Sequence, residues 1–323
     1  MKKISRVFSK LFTTVLSGAI VCSSIPSYAA FVPPSSDKEE TLPEPEIISV
    51  IEGDSSEYGL APVYYVDENG NKIEPELTPH REPRALVLPE KFDLRDYGYV
   101  TPVKSQSDTG TCWAHAVMAA AESNMVMNGL ADNTIDLSES HLVWFTQGQA
   151  STDINDPLYG DGESLGNTDL TNGAYDRGGH SRRAKATLGR WSGVQLEGNV
   201  PPVTDRPAVD ESLRYTSYGY LVNSDDLDAS DHESIKQHLM TTGALCCSYY
   251  TDSSKYSNGE YYREAYYNND IYSTNHEVTI VGWDDNYSKD NFKSAVPPGD
   301  GAWIIKNSWG NWSHNNGYFY MSY

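Results

Sequence analysis

The sequence predicts an α+β protein, with a helical front half joined to a strand-dominated back half. Two stretches carry that reading. Between Cys112 and Gly129, apolar residues recur at helical spacing at Cys112, Trp113, Ala116, Val117 and Ala120, and Gly129 is placed to stop the helix. From His276 the texture becomes short β-branched and aromatic runs: H-E-V-T-I-V-G-W, A-W-I-I-K-N-S-W-G and G-Y-F-Y-M-S-Y. With 323 residues the chain can bury a sizeable core as one large domain or two smaller ones.

Taken in order, the first thirty residues read as a processing signal. Lys2, Lys3, Arg6 and Lys10 make a basic start, and Leu11 to Val21 is an interrupted apolar run too short to span a membrane. Ser27-Tyr28-Ala29 then supplies small residues before a cleavage site, so residues 1–29 are expected to be a signal peptide, lost together with Cys22. Residues 30–84 are Pro-rich and acidic, as in Thr41-Leu-Pro-Glu-Pro-Glu46, and are expected to be a linker or a removable pro-segment. Ala61 to Val66 with the turn Glu68-Asn69-Gly70-Asn71 is a candidate for one isolated hairpin there. Residues 85–323 make the folded domain.

Within that domain, Ser138 is placed to cap a second helix whose Leu142, Val143 and Phe145 share a face. Residues 146–172 are polar and rich in Gly and Asp, hence expected to be surface loop. Gly178-Gly179 marks a turn or a place where another chain approaches the backbone closely. Residues 190–202 read as irregular, Glu233 to Met240 as a short helix stopped by Gly243, and Ala244 to Tyr249 as a buried strand.

Composition excludes some functions. Lys and Arg number 24 against 45 Asp and Glu, a formal charge of −21, with no basic patch to hold a nucleic acid or an anionic membrane surface. Abundant Gly, Tyr, Asn, Asp and Ser fits a soluble, secreted protein. After signal removal three cysteines remain, Cys112, Cys246 and Cys247, an odd number with two adjacent in a core strand, which is no disulfide framework. Cys246 and Cys247 are read as packing residues.

Cys112 stands in a more reactive setting, because a thiol at a helix N-terminus feels the positive end of the helix dipole, which favours thiolate. Gln106, six residues upstream, is close enough to aim its amide at the same spot. A thiolate nucleophile needs a base, and the base needs an orienting group. His276 begins a strand, and Asn307 ends the next apolar run, where its oxygen can accept from the imidazole while Trp309 keeps water off that bond. His115 is read as a packing residue, and His180, His232, His238 and His314 as mostly solvated. No second Cys/His pair completes a zinc site, so neither a metal nor any other cofactor is expected.

These motifs together resemble the papain-like (C1) cysteine peptidases, in a secreted bacterial branch. The resemblance runs from about Leu88 to the C-terminus and rests on V-K-S-Q-x5-C-W-A, L-S-E, Gly178-Gly179, N-H-x-V-x-I-V-G-W and I-K-N-S-W-G. It implies a two-lobe α+β fold, a helical N-terminal lobe and a β-barrel-like C-terminal lobe, with the active cleft between them. It also implies Cys112 as nucleophile, His276 as base, Asn307 as its orienting group, and Gln106 with the Cys112 N–H as oxyanion donors. Gly178, Gly179, Trp309, Ser248 and Glu277 are the substrate-binding residues it implies, for a protein or peptide substrate and a monomeric enzyme.

The chain also departs from that pattern. Thr109 stands where the family usually has a cysteine, and Glu277 where the residue after the histidine is usually small. Glu277 either lines the second specificity pocket, favouring basic or polar side chains, or faces solvent. The helical inhibitory pro-segment is missing. The family's β-domain normally continues beyond Tyr323, so the resemblance leaves open a downstream continuation, through which the secreted protein would associate with the cell surface, or a branch without the last strands. The rival functions are a non-hydrolytic binding or adhesion protein on the same fold and a cell-wall peptide amidase or transferase.

Overall fold

The computed structural model describes residues 87–162, 170–256, 264–270, 273–292 and 295–323, with the backbone of four short strands nearer the N-terminus. The chain divides into two units, Val32–Val87 and the remainder. In the smaller unit, Ser49–Glu52, Val63–Val66 and Lys72–Ile73 form an antiparallel sheet with Val66 opposite Lys72. The hairpin expected near residues 61–71 is therefore present, with a third strand beside it. The rest of the presumed signal and Pro-rich segments lies outside the described residues, except Lys10–Thr13, which pairs in parallel with Gly219–Asn223.

The larger unit begins with a short strand, β1 (Lys91–Asp93). The helices α1 (Cys112–Met127), α2 (Glu139–Gln147), α3 (Leu170–Asp176) and α4 (Ser181–Gly189) follow. Then come β2 (Gly219–Asn223), α5 (His232–Thr242), β3 (Leu245–Tyr249), β4 (Ala265–Tyr266), β5 (His276–Asp284), β6 (Ala302–Lys306) and β7 (Tyr318–Ser322). The helical front and stranded back follow the sequence. One element differs: α3 begins in the last three residues of the stretch read as polar loop and runs past it, burying Ala174 and Tyr175 at its end.

Twelve of the 16 residues of α1 are buried, so this helix is enclosed all round and not merely laid on a surface. Its front packs with α2 and α4 in a core of Trp113, Val117, Met118, Leu142, Val143 and Leu188. Its other side meets the sheet, where Thr279 Oγ1 on β5 donates to Ala116 O at 3.3 Å. Near its end, Ser123 Oγ accepts from Ala244 N at 3.0 Å, and Asn124 Nδ2 donates to Thr242 O at 2.7 Å. The turn between α5 and β3 thus lies against α1, and Gly243 there has φ +100° with Asn124 N 3.2 Å from where a Cβ would sit.

The sheet is mixed and six-stranded. β5 pairs antiparallel with β6 on one edge, and on the other with β3 and β1, which share its length. β6 pairs with β7, which continues in parallel to β4. Covered on both faces, β5 is buried from His276 to Trp283, and the second core gathers there around Trp283, Ile304, Ile305 and Phe319. The two cores are the two lobes the sequence implies, and α1 and β5 are the elements where they meet.

Candidate active site

Three chain segments converge where α1 begins and where β5 and β6 have neighbouring ends. Cys112 is the first residue of α1, half-buried, with Thr111 before it as the N-terminal cap residue. Its sulfur faces the backbone N–H groups of Glu277, Trp113 and of Cys112 itself, each of which pulls the thiol pKa down, although burial outweighs them and raises it. The influence of the Glu277 N–H on the thiol puts the sulfur near the start of β5, whose first residue is His276.

His276 is buried, and its Nε2 lies 2.8 Å from Asn307 Oδ1. Asn307 follows the last residue of β6, and the β6–β5 register, with Lys306 opposite Thr279, sets the two side chains side by side. The orientation of the Asn307 amide is fixed by chemistry. Ser308 N, a backbone donor, also points at Oδ1 at 2.8 Å, so that atom must be the oxygen. Nε2 of His276 therefore carries a proton, and Nδ1 is the ring nitrogen left for proton transfer. Burial lowers the His276 pKa to about 4, the Asn307 bond opposing the drop and His115 adding to it. The indole of Trp309 stacks on the imidazole, centroids 4.9 Å apart and planes 28° from parallel, covering the hydrogen bond.

Burial thus acts on both Cys112 and His276 in favour of the neutral pair. An ion pair between them must draw on their mutual attraction, on the helix dipole, and on the N–H groups around the sulfur.

Gln106 is also buried. Its Oε1 accepts from Ser308 Oγ at 2.7 Å and its backbone N–H donates to Ser308 O at 2.8 Å, tying it to the residue after Asn307. One hydrogen of its amide goes to Thr109 O at 2.8 Å, which leaves the other for a ligand. Thr109, in the position of the missing cysteine, stitches this turn with hydroxyl bonds to Gln106 O and Thr111 Oγ1.

The Gly178-Gly179 pair has a packing reason. A Cβ on Gly179 would lie 2.5 Å from the ring of Trp113, which is fully buried beside Cys112, and Gly178 takes φ +71°. Gly178 O accepts from Gln147 Nε2 at 2.9 Å.

Glu277 does not face solvent. It is 5% exposed, and its carboxylate accepts from Ser181 N at 3.1 and 3.2 Å, Ser248 Oγ at 2.9 Å and Cys246 Sγ at 3.6 Å. Ser181 opens α4, so the carboxylate takes the place of a capping side chain at that helix end, where its charge opposes the helix dipole favourably. Among the described residues no three acidic, histidine or cysteine side chains converge as ligands of a metal.

Behind these groups lies a set of buried charges that the sequence did not single out. Lys104 Nζ is 3.3 Å from Glu122 and 3.0 Å from Glu139, and also meets Asp136 and Leu137 O. Glu122 accepts from Leu137 N at 2.8 Å and Thr101 Oγ1 at 2.5 Å, and Thr101 accepts from Lys306 Nζ at 3.0 Å. The chain of bonds therefore runs from the middle of α1 to the residue before Asn307. Lys104, Glu122, Glu139 and Lys306, together with Glu277 and Asn307, line a cavity of about 20 Å³. Burial alone would push Glu139 up, but the Lys104 ammonium holds it below the usual carboxylate range. Burial lowers Lys306 to about 8.

Residues 88–323 match the model of the papain family of cysteine proteases. The chain belongs to that family. It is 28% identical to human cathepsin L2 over 74% of its length and 62% of the relative's, and 26% identical to cysteine proteinase 2 of Entamoeba histolytica over 73% and 64%. It spans less than two thirds of these curated relatives. Among solved structures it is similar to the cysteine protease and lectin-like domains of Cwp84, a surface layer associated protein of Clostridium difficile. There the TM-score is 0.55 with 28% identity, over 74% of this chain and 49% of that one. Procathepsin L2 of Tenebrio molitor, at TM-score 0.51 and 24% identity, shares the papain-like fold.

The family residues read from the sequence thus lie together, and one reading changes. His314, taken as solvated, is only 7% exposed, and its Nε2 lies 2.8 Å from Asn307 Nδ2. His180 is exposed as expected, and His115 is buried with Nδ1 on Thr111 O at 2.9 Å. Among the described residues no helix is long and apolar enough to cross a membrane.

Proposed function

We propose that this chain is a thiol endopeptidase that hydrolyses peptide bonds through a covalent thioester. The observation that carries the reading is the bond from His276 Nε2 to Asn307 Oδ1 under the Trp309 ring, with Cys112 at the adjoining helix start. In the proposed cycle the Cys112 thiolate attacks the carbonyl carbon of a peptide, and Gln106 with the Cys112 N–H holds the resulting oxyanion. The proton on His276 Nδ1 passes to the departing amine as the tetrahedral adduct collapses to a thioester. A water then attacks the thioester, giving a proton to His276, and the acid leaves as the C–S bond breaks to restore the Cys112 thiolate beside the His276 imidazolium.

Substrate backbone would lie along Gly178 and Gly179, near Trp309. Ser248 and Glu277 would form the floor of an adjacent subsite, where a buried carboxylate favours a basic side chain. Residues 1–29 would be a signal peptide and 30–84 a linker or pro-segment, giving a secreted protein. The surface layer association of Cwp84 supports an extracellular place.

The test uses the full chain beside Cys112→Ala, incubated with an epoxide thiol inhibitor and then with casein. The expected result is a mass adduct on a Cys112 peptide and casein cleavage in wild type, with neither in the variant. Adduct formation without cleavage would favour an amidase or transferase, and no adduct on Cys112 would overturn the peptidase reading in favour of a binding protein.

A further inference from the structure

We propose that His314 is a positioning residue: its neutral imidazole locks the Asn307 amide, and its protonation releases that amide and lowers activity on the acid side. The inference rests on the peptidase reading and on geometry that the catalytic set does not need. Asn307 is held at both ends. Its Oδ1 takes the His276 Nε2–H and the Ser308 N–H, both at 2.8 Å, so its Nδ2 is the atom 2.8 Å from His314 Nε2. An amide nitrogen only donates. His314 Nε2 must therefore be a bare acceptor, with the ring's proton on Nδ1.

The loop between β6 and β7 is built to present that nitrogen. His314 sits at φ +52° and Asn316 at φ +54°, and Gly317 N donates to Ser313 O at 2.7 Å, closing a tight turn. Gly317 itself lies where a Cβ would be 2.6 Å from the Val103 side chain. The imidazole is stacked between Trp309, at 5.3 Å and 18°, and Phe319 of β7, at 4.8 Å and 29°. Trp309 in turn covers His276, so one indole spans both histidines.

A proton on His314 Nε2 would set two N–H donors against each other at 2.8 Å. The amide cannot simply turn over, because Nδ2 would then face Ser308 N–H and His276 Nε2–H. It must withdraw, and the imidazole of His276 loses the partner that orients it. Among the described residues, the titratable groups that face His314 include Tyr256, from the turn after β3, with ring centroids 5.4 Å apart, and His276 beyond Asn307. Tyr256 shares its hydroxyl with Tyr249 of β3 and Thr251, which places neutral phenols on that side.

Two measurements on the full chain decide the matter. The first is a ¹⁵N-histidine NMR titration of Cys112→Ala, with His314 assigned by its loss in His314→Gln. The expected spectrum at pH 8 shows His314 with a bare Nε2 and a protonated Nδ1. On acidification Nε2 gains its proton together with a shift of the Asn307 side-chain amide. A resting Nε2–H, or protonation that leaves the amide unmoved, overturns the proposal whether or not the chain hydrolyses peptides.

The second compares the pH dependence of kcat and KM in His314→Phe, which keeps a flat ring without an acceptor, and His314→Gln, which keeps an acceptor that does not titrate. Losing one such bond lowers kcat on the order of tenfold with KM unchanged in the Phe variant. The Gln variant recovers most of that loss and carries its activity further to the acid side than wild type. Wild-type profiles in both variants overturn the proposal. A wild-type chain without thiol reactivity or hydrolysis would instead remove the peptidase reading, and the NMR titration would still judge the His314–Asn307 bond.

Discussion

Around Lys104, behind α1, buried polarity is held by full charges, whereas around Asn307, on the strand side, it is held by neutral hydrogen bonds under aromatic rings. Behind α1, one ammonium, Lys104, answers Glu122, Asp136 and Glu139, and carries a pKa raised by those carboxylates against its burial. Behind β5, His276, Asn307 and His314 share two hydrogen bonds between flat rings, with Trp309 and Phe319 above and below. Lys104 and Glu139 hold each other charged, so they make a fixed platform behind Cys112. The neutral side contains imidazoles, the side chains suited to passing a proton, although burial holds His276 in its neutral form down to about pH 4.

If the charged side is the platform, breaking it should cost stability most. Glu122→Ala strands the Thr101 hydroxyl and the Leu137 N–H and removes one of the carboxylates on Lys104. Removing one partner of a buried ion pair typically costs about 3–5 kcal/mol, a large part of a domain's stability. Urea denaturation would read this as a lower midpoint at unchanged slope. A loss below about 1 kcal/mol would mean that apolar packing, and not the ion network, holds α1 in place.

On the neutral side the expected loss is in rate. Gln106→Ala removes the proposed oxyanion donor, and such a donor is typically worth about 100- to 1000-fold in kcat, or roughly 3–4 kcal/mol of transition-state stabilisation. Its side chain also bonds Ser308 Oγ and Thr109 O, so the unfolding midpoint should be followed beside the rate. A rate loss under tenfold in a folded variant would remove Gln106 from the chemistry and leave it as a strut for the Asn307 turn.

The sequence makes much of the catalytic side legible because those signals are local. Gly129 stops α1 at φ +66°, Ser138 caps α2 by accepting from His141 N at 3.2 Å, and Gly243 ends α5, each at the expected place. What a residue faces after long-range folding is less legible. Glu277 begins a strand that is covered on both faces, so alternation along β5 gives no clue to whether it meets solvent. His314 follows polar residues in a hairpin loop, the usual sign of exposure, and only the aromatic stack from Trp309 and Phe319 buries it. The Lys104 network joins residues separated by up to 205 positions, as between Thr101 and Lys306, and no spacing rule reaches that far. The short α3 hid in a Gly- and Asp-rich stretch because its helix is stabilised by burying Ala174 and Tyr175, not by propensity.

The smallest expected effect separates the two sides by acid. His141 on α2 is fully buried with Nε2 donating to Leu213 O at 2.9 Å, which leaves Nδ1 bare. Burial lowers its pKa to about 4, the Leu213 bond opposing and the buried Arg214 adding to the drop. Between pH 6.5 and 4 the unfolded chain therefore binds the proton that the folded chain refuses, and stability falls as pH falls through that window. His276 contributes in the same direction. Glu197 acts oppositely: burial raises its pKa to about 7, so its contribution is present in acid and lost as pH rises towards 7. The wild-type slope mixes these with the other shifted groups, His115 and His232 among them, so the informative quantity is a difference of differences. His141→Gln keeps a donor for Leu213 O without a titrating ring. The loss of stability between pH 8 and pH 5, read by urea denaturation, should be smaller in the variant by about 2 kcal/mol. Equal losses in the two proteins would remove His141 as a source of the acid sensitivity and leave it to the other buried imidazoles, His276 and His115.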